Sequence, residues 1–229
     1  MDPFHERLAR AGLGAADRYG FALAGGYAVQ AAGLLERPSE DVDLFTAWDR
    51  RQDFTAAVTA VVHAYRDDGL TVETERQYDT FARLSVTDGA RVSKVELGVD
   101  WRANEPILMA IGPVLHPDDA VANKMSALYG RAFARDFIDI DATLRSGRYT
   151  RDNLLALAQR ADRGFDPRIF ADALGQATQL DPDDFAQYGV TGPALDDLRS
   201  RFAEWRRELL DDEGGDDSAA GSSMYTQNP

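Results

Sequence analysis

The stretch that decides the fold is LAGGYAVQAAGLLERPSEDVDLF, which spans Leu23–Phe45. A short apolar run leads into the glycine pair Gly25-Gly26, an alanine-rich segment follows, and a second apolar run carries Asp41 and Asp43. This order predicts a buried strand, a glycine turn, a helix with its loop, and a neighbouring strand. The glycine pair and the two aspartates would then meet at one edge of a sheet.

Asp41 and Asp43 are the first candidates for chemistry. Side chains two residues apart share one face of a strand, so both carboxylates would face a cleft while Val42 and Leu44 face the core. Like charges this close repel, and a divalent cation relieves the repulsion. Oxygen ligands without Cys or His suit Mg²⁺ or Mn²⁺. The alternative is a solvated pair at the start of a strand, because D-x-D also arises by chance.

A metal site of this kind usually includes a third carboxylate from another strand, and the run Val92–Asp100 offers two. Glu96 and Asp100 alternate with apolar residues that would face inward. We prefer Glu96 because it lies in the middle of the predicted strand. Asp100 could instead end the strand and pair with Arg102.

The glycine pair between a strand and a helix predicts a phosphate site. Glycines let the backbone approach a phosphate closely, and a helix N-terminus favours its negative charge. A tight turn without a ligand is the alternative for Gly25-Gly26 taken alone. The combination with a D-x-D strand is rarer than either part, and it favours phosphate and metal binding at one place.

The rest of the chain indicates an α/β N-terminal half and a helical C-terminal half. An amphipathic pattern over 51–66 predicts a helix, and Asp88-Gly89 between two strand-like runs is typical of a hairpin turn. Helical patterns dominate later. We therefore predict an α/β core at 1–112, a helical domain at 113–210 and a disordered acidic tail at 211–229.

Composition narrows the function classes. The chain has 229 residues, 44% of them hydrophobic, and no cysteine, which excludes disulfides and thiolate metal sites. No apolar run reaches the roughly 18 residues of a membrane span, so we expect a cytoplasmic protein without a membrane partner. The net charge of −14 argues against broad non-specific nucleic-acid binding, although the segment 124–151 is net positive. His5, His63 and His116 are scattered and receive no catalytic role.

Lys124, Arg131 and Asp136 are the candidates in the helical half. Lys124 and Arg131 are seven residues apart, which places them near one helix face, where two cations could meet a triphosphate. A solvated helix face is their alternative. Asp136 follows in the next helix, where buried ion pairing is an equally good interpretation.

Three stretches, GGYA, RPSEDVDLF and ANKMSALYGRAFARDFIDI, resemble the AbiEii/AbiGii-type nucleotidyltransferase toxin family of the DNA polymerase β-like superfamily. The resemblance covers about residues 20–145. The residues that match the family motifs are Gly25-Gly26, Ser39–Asp43, Lys124, Arg131 and Arg135–Asp139. The chain departs from many superfamily members at Gly26, where they have serine. The last family motif is not evident after Ala161.

The resemblance implies an α+β fold, with a polymerase β-like mixed sheet, flanking helices and a helical C-terminal half. It implies transfer of a nucleoside monophosphate from a nucleoside triphosphate, with Mg²⁺ or Mn²⁺, to an acceptor such as a tRNA 3′ end. It also implies the toxin of a type IV toxin–antitoxin system, with a winged-helix antitoxin encoded nearby. The expected catalytic residues are Asp41, Asp43, Glu96, Lys124 and Asp136. The expected nucleotide-binding residues are Gly25, Gly26, Ser39, Lys124 and Arg131, and the expected metal ligands are Asp41, Asp43 and Glu96.

Two other functions remain open from the sequence. A small-molecule nucleotidyltransferase of the antibiotic-modifying kind shares the glycine-pair and D-x-D logic, and the acidic net charge suits a cationic drug. A catalytically inactive scaffold protein could keep the fold, although intact carboxylates argue against it.

Overall fold

The computed structural model describes residues 1–214, and side chains are described as far as residue 211. The helices are α1 Pro3–Ala16, α2 Gly25–Ala31, α3 Phe54–Asp67, α4 Pro117–Arg131, α5 Ala134–Arg145, α6 Arg151–Ala161, α7 Pro167–Gly175, α8 Pro182–Ala186 and α9 Pro193–Gly214. The strands are β1 Ala22–Leu23, β2 Asp41–Ala47, β3 Thr71–Gln77, β4 Phe81–Thr87, β5 Val92–Asp100, β6 Ile107–Met109 and β7 Gly112–Val114.

The strands form one seven-stranded mixed sheet in the order β3-β4-β5-β2-β1-β7-β6. The pairs β2–β5 and β1–β7 are parallel, and the other neighbours are antiparallel. Strand β2, which carries the aspartate pair, lies in the middle between β5 and β1. The predicted α+β architecture with a mixed sheet and flanking helices is confirmed.

Helices α1 and α3 pack against each other, and α1 also packs against strand β2. The buried Tyr65 hydroxyl of α3 donates a hydrogen bond to the Leu8 carbonyl of α1 at 3.0 Å, and burial raises the pKa of this tyrosine. Gly12 permits the close approach, because a Cβ there would lie 2.6 Å from Leu44 Cδ1 and 2.7 Å from the Tyr65 hydroxyl. The N-terminal helix is thereby held directly against the strand of the candidate site.

The chain divides into two compact units, Met1–Lys124 and the remainder from Met125 onward. The dividing point falls inside α4, whereas the sequence analysis placed it before that helix. A helix that crosses the dividing point gives no Pro/Gly-rich linker, so composition alone could not mark it.

The core of the second unit is rich in aromatic residues. The rings of Phe137 and Phe202 meet edge to face at 5.0 Å, as do those of Phe170 and Trp205 at 5.2 Å. Such pairs each add about 0.5–1.5 kcal/mol beyond the burial of their area. One side of α9 is apolar and buried in this core, with the members Leu195, Leu198, Phe202, Trp205 and Leu209.

Some elements differ from the sequence expectations. Strands β6 and β7 are three residues long, which is too short to give a recognisable alternation. Residues 211–214 of the predicted tail belong to α9, and the rest of that prediction, 215–229, lies outside the described residues. Between residues 1 and 214, no helix combines the length and the apolar character that crossing a membrane requires.

Candidate active site

Gly25 and Asp43 are in direct contact. Strands β1 and β2 pair antiparallel with Leu23 opposite Leu44, and the Ala24 amide donates to the Asp43 carbonyl at 2.8 Å. Gly25 has a φ of +57°, a left-handed conformation that favours glycine. A Cβ at this position would lie 1.7 Å from Asp43 Oδ2. Both the backbone conformation and the neighbouring carboxylate therefore require glycine here.

Gly26 makes the corresponding contact with Ser39. A Cβ on Gly26 would lie 2.6 Å from Ser39 Oγ, and the same hydroxyl lies 3.4 Å from Asp41 Oδ1. Ser39 and Asp43 are buried. The structure thus brings together the glycine pair, the serine and both aspartates that the sequence singled out.

Glu96 lies beside Asp43 on the neighbouring strand. The two are register partners in the parallel pair β2–β5, and Glu96 is also the register partner of Arg83 on β4. The Arg83 guanidinium donates to Glu96 Oε1, at 2.8 Å from Nε and 2.6 Å from Nη2. This arginine was missed by sequence reasoning, because only the strand register shows that it faces Glu96.

The carboxylate row that results is Asp41 and Asp43 on β2 and Glu96 on β5. Within residues 1–214, no group of three or more His, Cys, Asp or Glu side chains is arranged to hold a metal ion. The assignment of Glu96 as a third ligand therefore stays a prediction. In the structure Glu96 forms an ion pair with Arg83, so a positively charged side chain already neutralises this carboxylate.

Asp100, the alternative third carboxylate, is the last residue of β5, whereas Glu96 lies in the middle of that strand. Its register partner is Ala47, the last residue of β2. Asp100 lies four positions along the strand from Glu96, a distance of about 13 Å. Burial raises the pKa of Asp100, while a hydrogen bond from the Trp101 amide opposes the rise. The strand register thus separates Asp100 from the aspartate pair.

The aspartate pair fits a magnesium ion. Magnesium is usually bound in proteins by one or two carboxylates, and substrate phosphates and waters complete its shell. Asp41 and Asp43 offer two carboxylates on one strand, with no nitrogen or sulfur ligand among the residues that adjoin them in the motif. A site of this composition favours magnesium or manganese over zinc.

Lys124 and Arg131 are both on α4, with Lys124 in the first unit and Arg131 in the second. Lys124 is 9% exposed, which is unusual for a lysine and requires a negatively charged or polar environment. It is therefore not the solvated residue of the alternative interpretation.

Arg131 and Asp136 form a bidentate ion pair in the second unit. Arg131 Nε and Nη2 donate to the two Asp136 oxygens at 2.9 Å each. Asp136 is fully buried and also accepts from the Phe133 amide at the start of α5. The structure thus gives Asp136 the ion-pairing role that the sequence left open, and it commits much of the Arg131 guanidinium to that pair.

The arrangement of the first unit is that of a nucleotidyltransferase. A glycine turn ends one strand of a mixed sheet, Asp43 of the neighbouring strand and Ser39 just before that strand pack against the turn, and Asp41 lies beside Ser39. A model of the family described as "Nucleotidyl transferase AbiEii toxin, Type IV TA system" matches residues 8–218. The chain belongs to this family of nucleotidyltransferase toxins, so the predicted family and enzyme class are confirmed.

Solved structures agree on the fold. The chain is similar to MenT4, a nucleotidyltransferase toxin from Mycobacterium tuberculosis H37Rv, with 18% identity and a TM-score of 0.51 over 91% of this chain and 90% of that one. It is also similar to a candidate nucleotidyltransferase from H. pylori, with 16% identity and a TM-score of 0.50 over 93% and 96%. None of the curated proteins compared matches.

Proposed function

We propose that the protein is a magnesium-dependent nucleotidyltransferase that transfers a nucleoside monophosphate to a tRNA 3′ end, as the toxin of a type IV toxin–antitoxin pair in the cytoplasm. The observation that carries the proposal is the contact of the glycine pair with the aspartate motif, Gly25 against Asp43 and Gly26 against Ser39. Phosphate-binding amides and metal-binding carboxylates belong together in such an enzyme, because the metal neutralises the phosphates that the amides hold.

Asp41 and Asp43 are the residues that would hold magnesium, with Glu96 as the proposed third ligand. When bound, magnesium supplies positive charge to the triphosphate and lowers the pKa of the acceptor hydroxyl. The amides of Gly25 and Gly26 bind the β- and γ-phosphates, and the Ser39 hydroxyl lies beside Gly26 as a further donor. These contacts orient the triphosphate for attack.

The reaction joins the acceptor oxygen to the α-phosphorus and breaks the bond to the bridging oxygen of the β-phosphate, so pyrophosphate leaves. The acceptor proton passes to a carboxylate of the site, Asp43 or Glu96. We propose that Lys124 stabilises the negative charge that develops on the leaving pyrophosphate. Arg131 is a weaker candidate for that role than the sequence suggested, because Asp136 engages its guanidinium.

The family supports an RNA acceptor more strongly than the surface charge does. Several cations of the net-positive segment 124–151 are paired in the second unit. Arg131 pairs with Asp136, and Arg151 lies 2.9 Å from Glu204 and 2.5 Å from Glu208. An RNA contact in this segment would therefore have to compete with these carboxylates for the cations. A winged-helix antitoxin encoded nearby is the partner that we propose from the family.

A small-molecule acceptor is the second candidate, and the net charge of −14 favours it. An acidic protein attracts a cationic drug and repels the phosphates of RNA at long range. The two candidates share every residue of the site. They differ in the acceptor alone, so one labelling experiment separates them.

The experiment is label transfer. The protein is incubated with magnesium, one of the four α-labelled nucleoside triphosphates and total tRNA, and in a parallel reaction with an aminoglycoside as the acceptor. The inactive control is Asp43→Asn. The matched control is Asp79→Asn, which changes an exposed aspartate in the turn between β3 and β4. We expect label in tRNA from one or two nucleotides, lost only with Asp43→Asn. Label in an added aminoglycoside and none in RNA would establish the second candidate, and no label in any acceptor would refute both.

A further inference from the structure

A hydrogen-bonded network links three distant parts of the first unit through His5. Its Nδ1 lies 2.6 Å from the Tyr27 hydroxyl of α2, and its Nε2 lies 2.8 Å from Ser93 Oγ of β5. Ser93 Oγ also lies 3.2 Å from the Lys94 carbonyl, to which it donates. The Tyr27 and Ser93 side chains are buried, and His5 is near the start of α1.

The network is satisfied by one arrangement of protons. Burial lowers the pKa of His5, against opposing effects of the Asp2 and Asp41 carboxylates, so the imidazole is neutral at pH 7. A neutral ring has one donor and one acceptor nitrogen. Since Ser93 donates to the Lys94 carbonyl, it accepts from His5 Nε2. His5 Nδ1 then accepts from the Tyr27 hydroxyl.

Both ends of the network reach the candidate site. Tyr27 directly follows Gly25-Gly26 in α2. Lys94 is the register partner of Asp41 in the pair β2–β5. Burial is the largest cause of both pKa shifts: it lowers the pKa of His5 and raises that of Tyr27. The negative charge of Asp41 raises the pKa of both groups, so Asp41 interacts electrostatically with the network. His5 therefore joins the segment of the glycine pair to the strand beside the aspartates.

The separation of these two segments decides whether the site works. Gly25 and Gly26 have no room for movement toward the aspartate motif, since Asp43 and Ser39 already occupy the space of a Cβ. Movement away would separate the glycine amides from the carboxylates. A misplacement of about 1 Å in an active site can cost roughly a hundredfold in rate.

We propose that His5 is a positioning residue that holds Tyr27, and with it the Gly25-Gly26 turn, in place against Ser39 and Asp43. The inference rests on the proposed function for its effect on catalysis, but the position of the glycine turn can be measured without any reaction. His5 itself touches no reacting group. The role explains why a histidine outside every sequence motif is half-buried between Tyr27 and Ser93.

Substitutions of His5 separate its two hydrogen bonds. His5→Asn keeps an amide group near the position of Nδ1 and the bond to Tyr27. His5→Gln reaches the position of Nε2 and keeps the bond to Ser93. The Tyr27 bond acts directly on the helix that carries the glycines, whereas the Ser93 bond acts on it only through the His5 ring. We therefore expect the activity to be highest in His5→Asn, lower in His5→Gln and lowest in His5→Ala. Tyr27→Phe removes the same bond from the other side and should add little to His5→Ala.

The matched control is His63→Asn. His63 is exposed on α3 and changes nothing in the network. The kinetic assay measures kcat and KM for the nucleoside triphosphate well below each variant's melting temperature. We expect His5→Ala to lower kcat roughly ten- to a hundredfold, with KM changed less than threefold and His63→Asn like the parent. An unchanged kcat in folded His5→Ala, or equal losses in His63→Asn, would overturn the proposal.

A second measurement keeps the inference independent of catalysis. Protein labelled with ¹⁵N-glycine gives amide resonances for Gly25 and Gly26 in an ¹H–¹⁵N spectrum. We expect both resonances to shift in His5→Ala and Tyr27→Phe, and to stay near the parent positions in His5→Asn and His63→Asn. Unmoved resonances in His5→Ala would overturn the positioning role even if transfer fails. Shifted resonances without any transfer by the parent protein would refute the proposed function and leave the positioning role supported.

Discussion

Gly25→Ala tests the contact on which the proposed function rests. The substitution has two costs. Alanine at a φ of +57° is in the left-handed region, which costs about 1–2 kcal/mol. The new Cβ would also lie 1.7 Å from Asp43 Oδ2 and 2.5 Å from its Cγ. The carboxylate must retreat by more than about 1 Å to relieve this overlap, and overpacking of that kind costs about 1–3 kcal/mol.

Gly33→Ala is the matched control, because it places alanine in a left-handed backbone conformation without an overlap of the new Cβ with another side chain. Gly33 follows α2 with a φ of +70°, and a Cβ there would meet no atom within 4 Å. We expect Gly33→Ala to lower the free energy of unfolding by about 1–2 kcal/mol and to leave the transfer rate of the folded protein unchanged. Gly25→Ala should lower the free energy of unfolding by about 2–5 kcal/mol.

The assay combines urea unfolding, followed by tryptophan fluorescence, with label transfer at a temperature where both variants are folded. Displacement of Asp43 should lower the transfer rate of Gly25→Ala by at least about a hundredfold. The reasoning would be refuted if both alanines cost the same stability, or if folded Gly25→Ala transferred label at the rate of Gly33→Ala. Either result would mean that the glycine does not protect the position of Asp43.

Three further outcomes follow from the ion pairs. Glu96→Gln should raise the magnesium concentration for half-maximal transfer, and an unchanged magnesium dependence would remove Glu96 from the ligand set. Asp136→Asn should lower the free energy of unfolding by about 1–3 kcal/mol, since it removes the charge of the buried carboxylate that accepts two hydrogen bonds from Arg131; urea unfolding measures this. Hydrogen bonds from Arg91 lower the pKa of Asp88 to about 2, below its unfolded value of 3.8. The stability from Asp88 is therefore present above pH 3.8 and lost as the pH falls toward 2, a dependence that Asp88→Asn should weaken in thermal unfolding.

The parts of the site that the sequence predicts are those whose residues follow each other closely. The turn at Gly25-Gly26 and the strand from Asp41 are separated by one helix and its loop, so local patterns sufficed to place them side by side. The register of β2 against β5 was not available from the sequence. That register separates Asp100 from the site and places Glu96 opposite Asp43.

The contacts that the sequence could not predict join residues far apart in the chain. Arg83 meets Glu96 only through the register of β4 with β5. His5 meets Ser93 across 88 positions, and no periodicity reports such a contact. A signal was present in one case, since a histidine on the apolar side of an amphipathic helix needs hydrogen-bond partners. That position alone does not say where the partners lie, and the sequence analysis gave His5 no role.

The departure from the superfamily at Gly26 has a structural explanation. Many members have serine there, and the loss of its hydroxyl suggested a lost phosphate contact. The Ser39 hydroxyl lies 2.6 Å from the position of a Cβ on Gly26, so it occupies nearly the space of the missing side chain. It also lies 3.4 Å from Asp41 Oδ1, inside the predicted site. A serine at 26 would require the Ser39 side chain to shift, because its Cβ would lie 2.6 Å from Ser39 Oγ and 3.1 Å from Ser39 Cβ. Ser39, in the loop before β2, therefore offers a hydroxyl beside the glycine turn, where many superfamily members carry one on residue 26 itself.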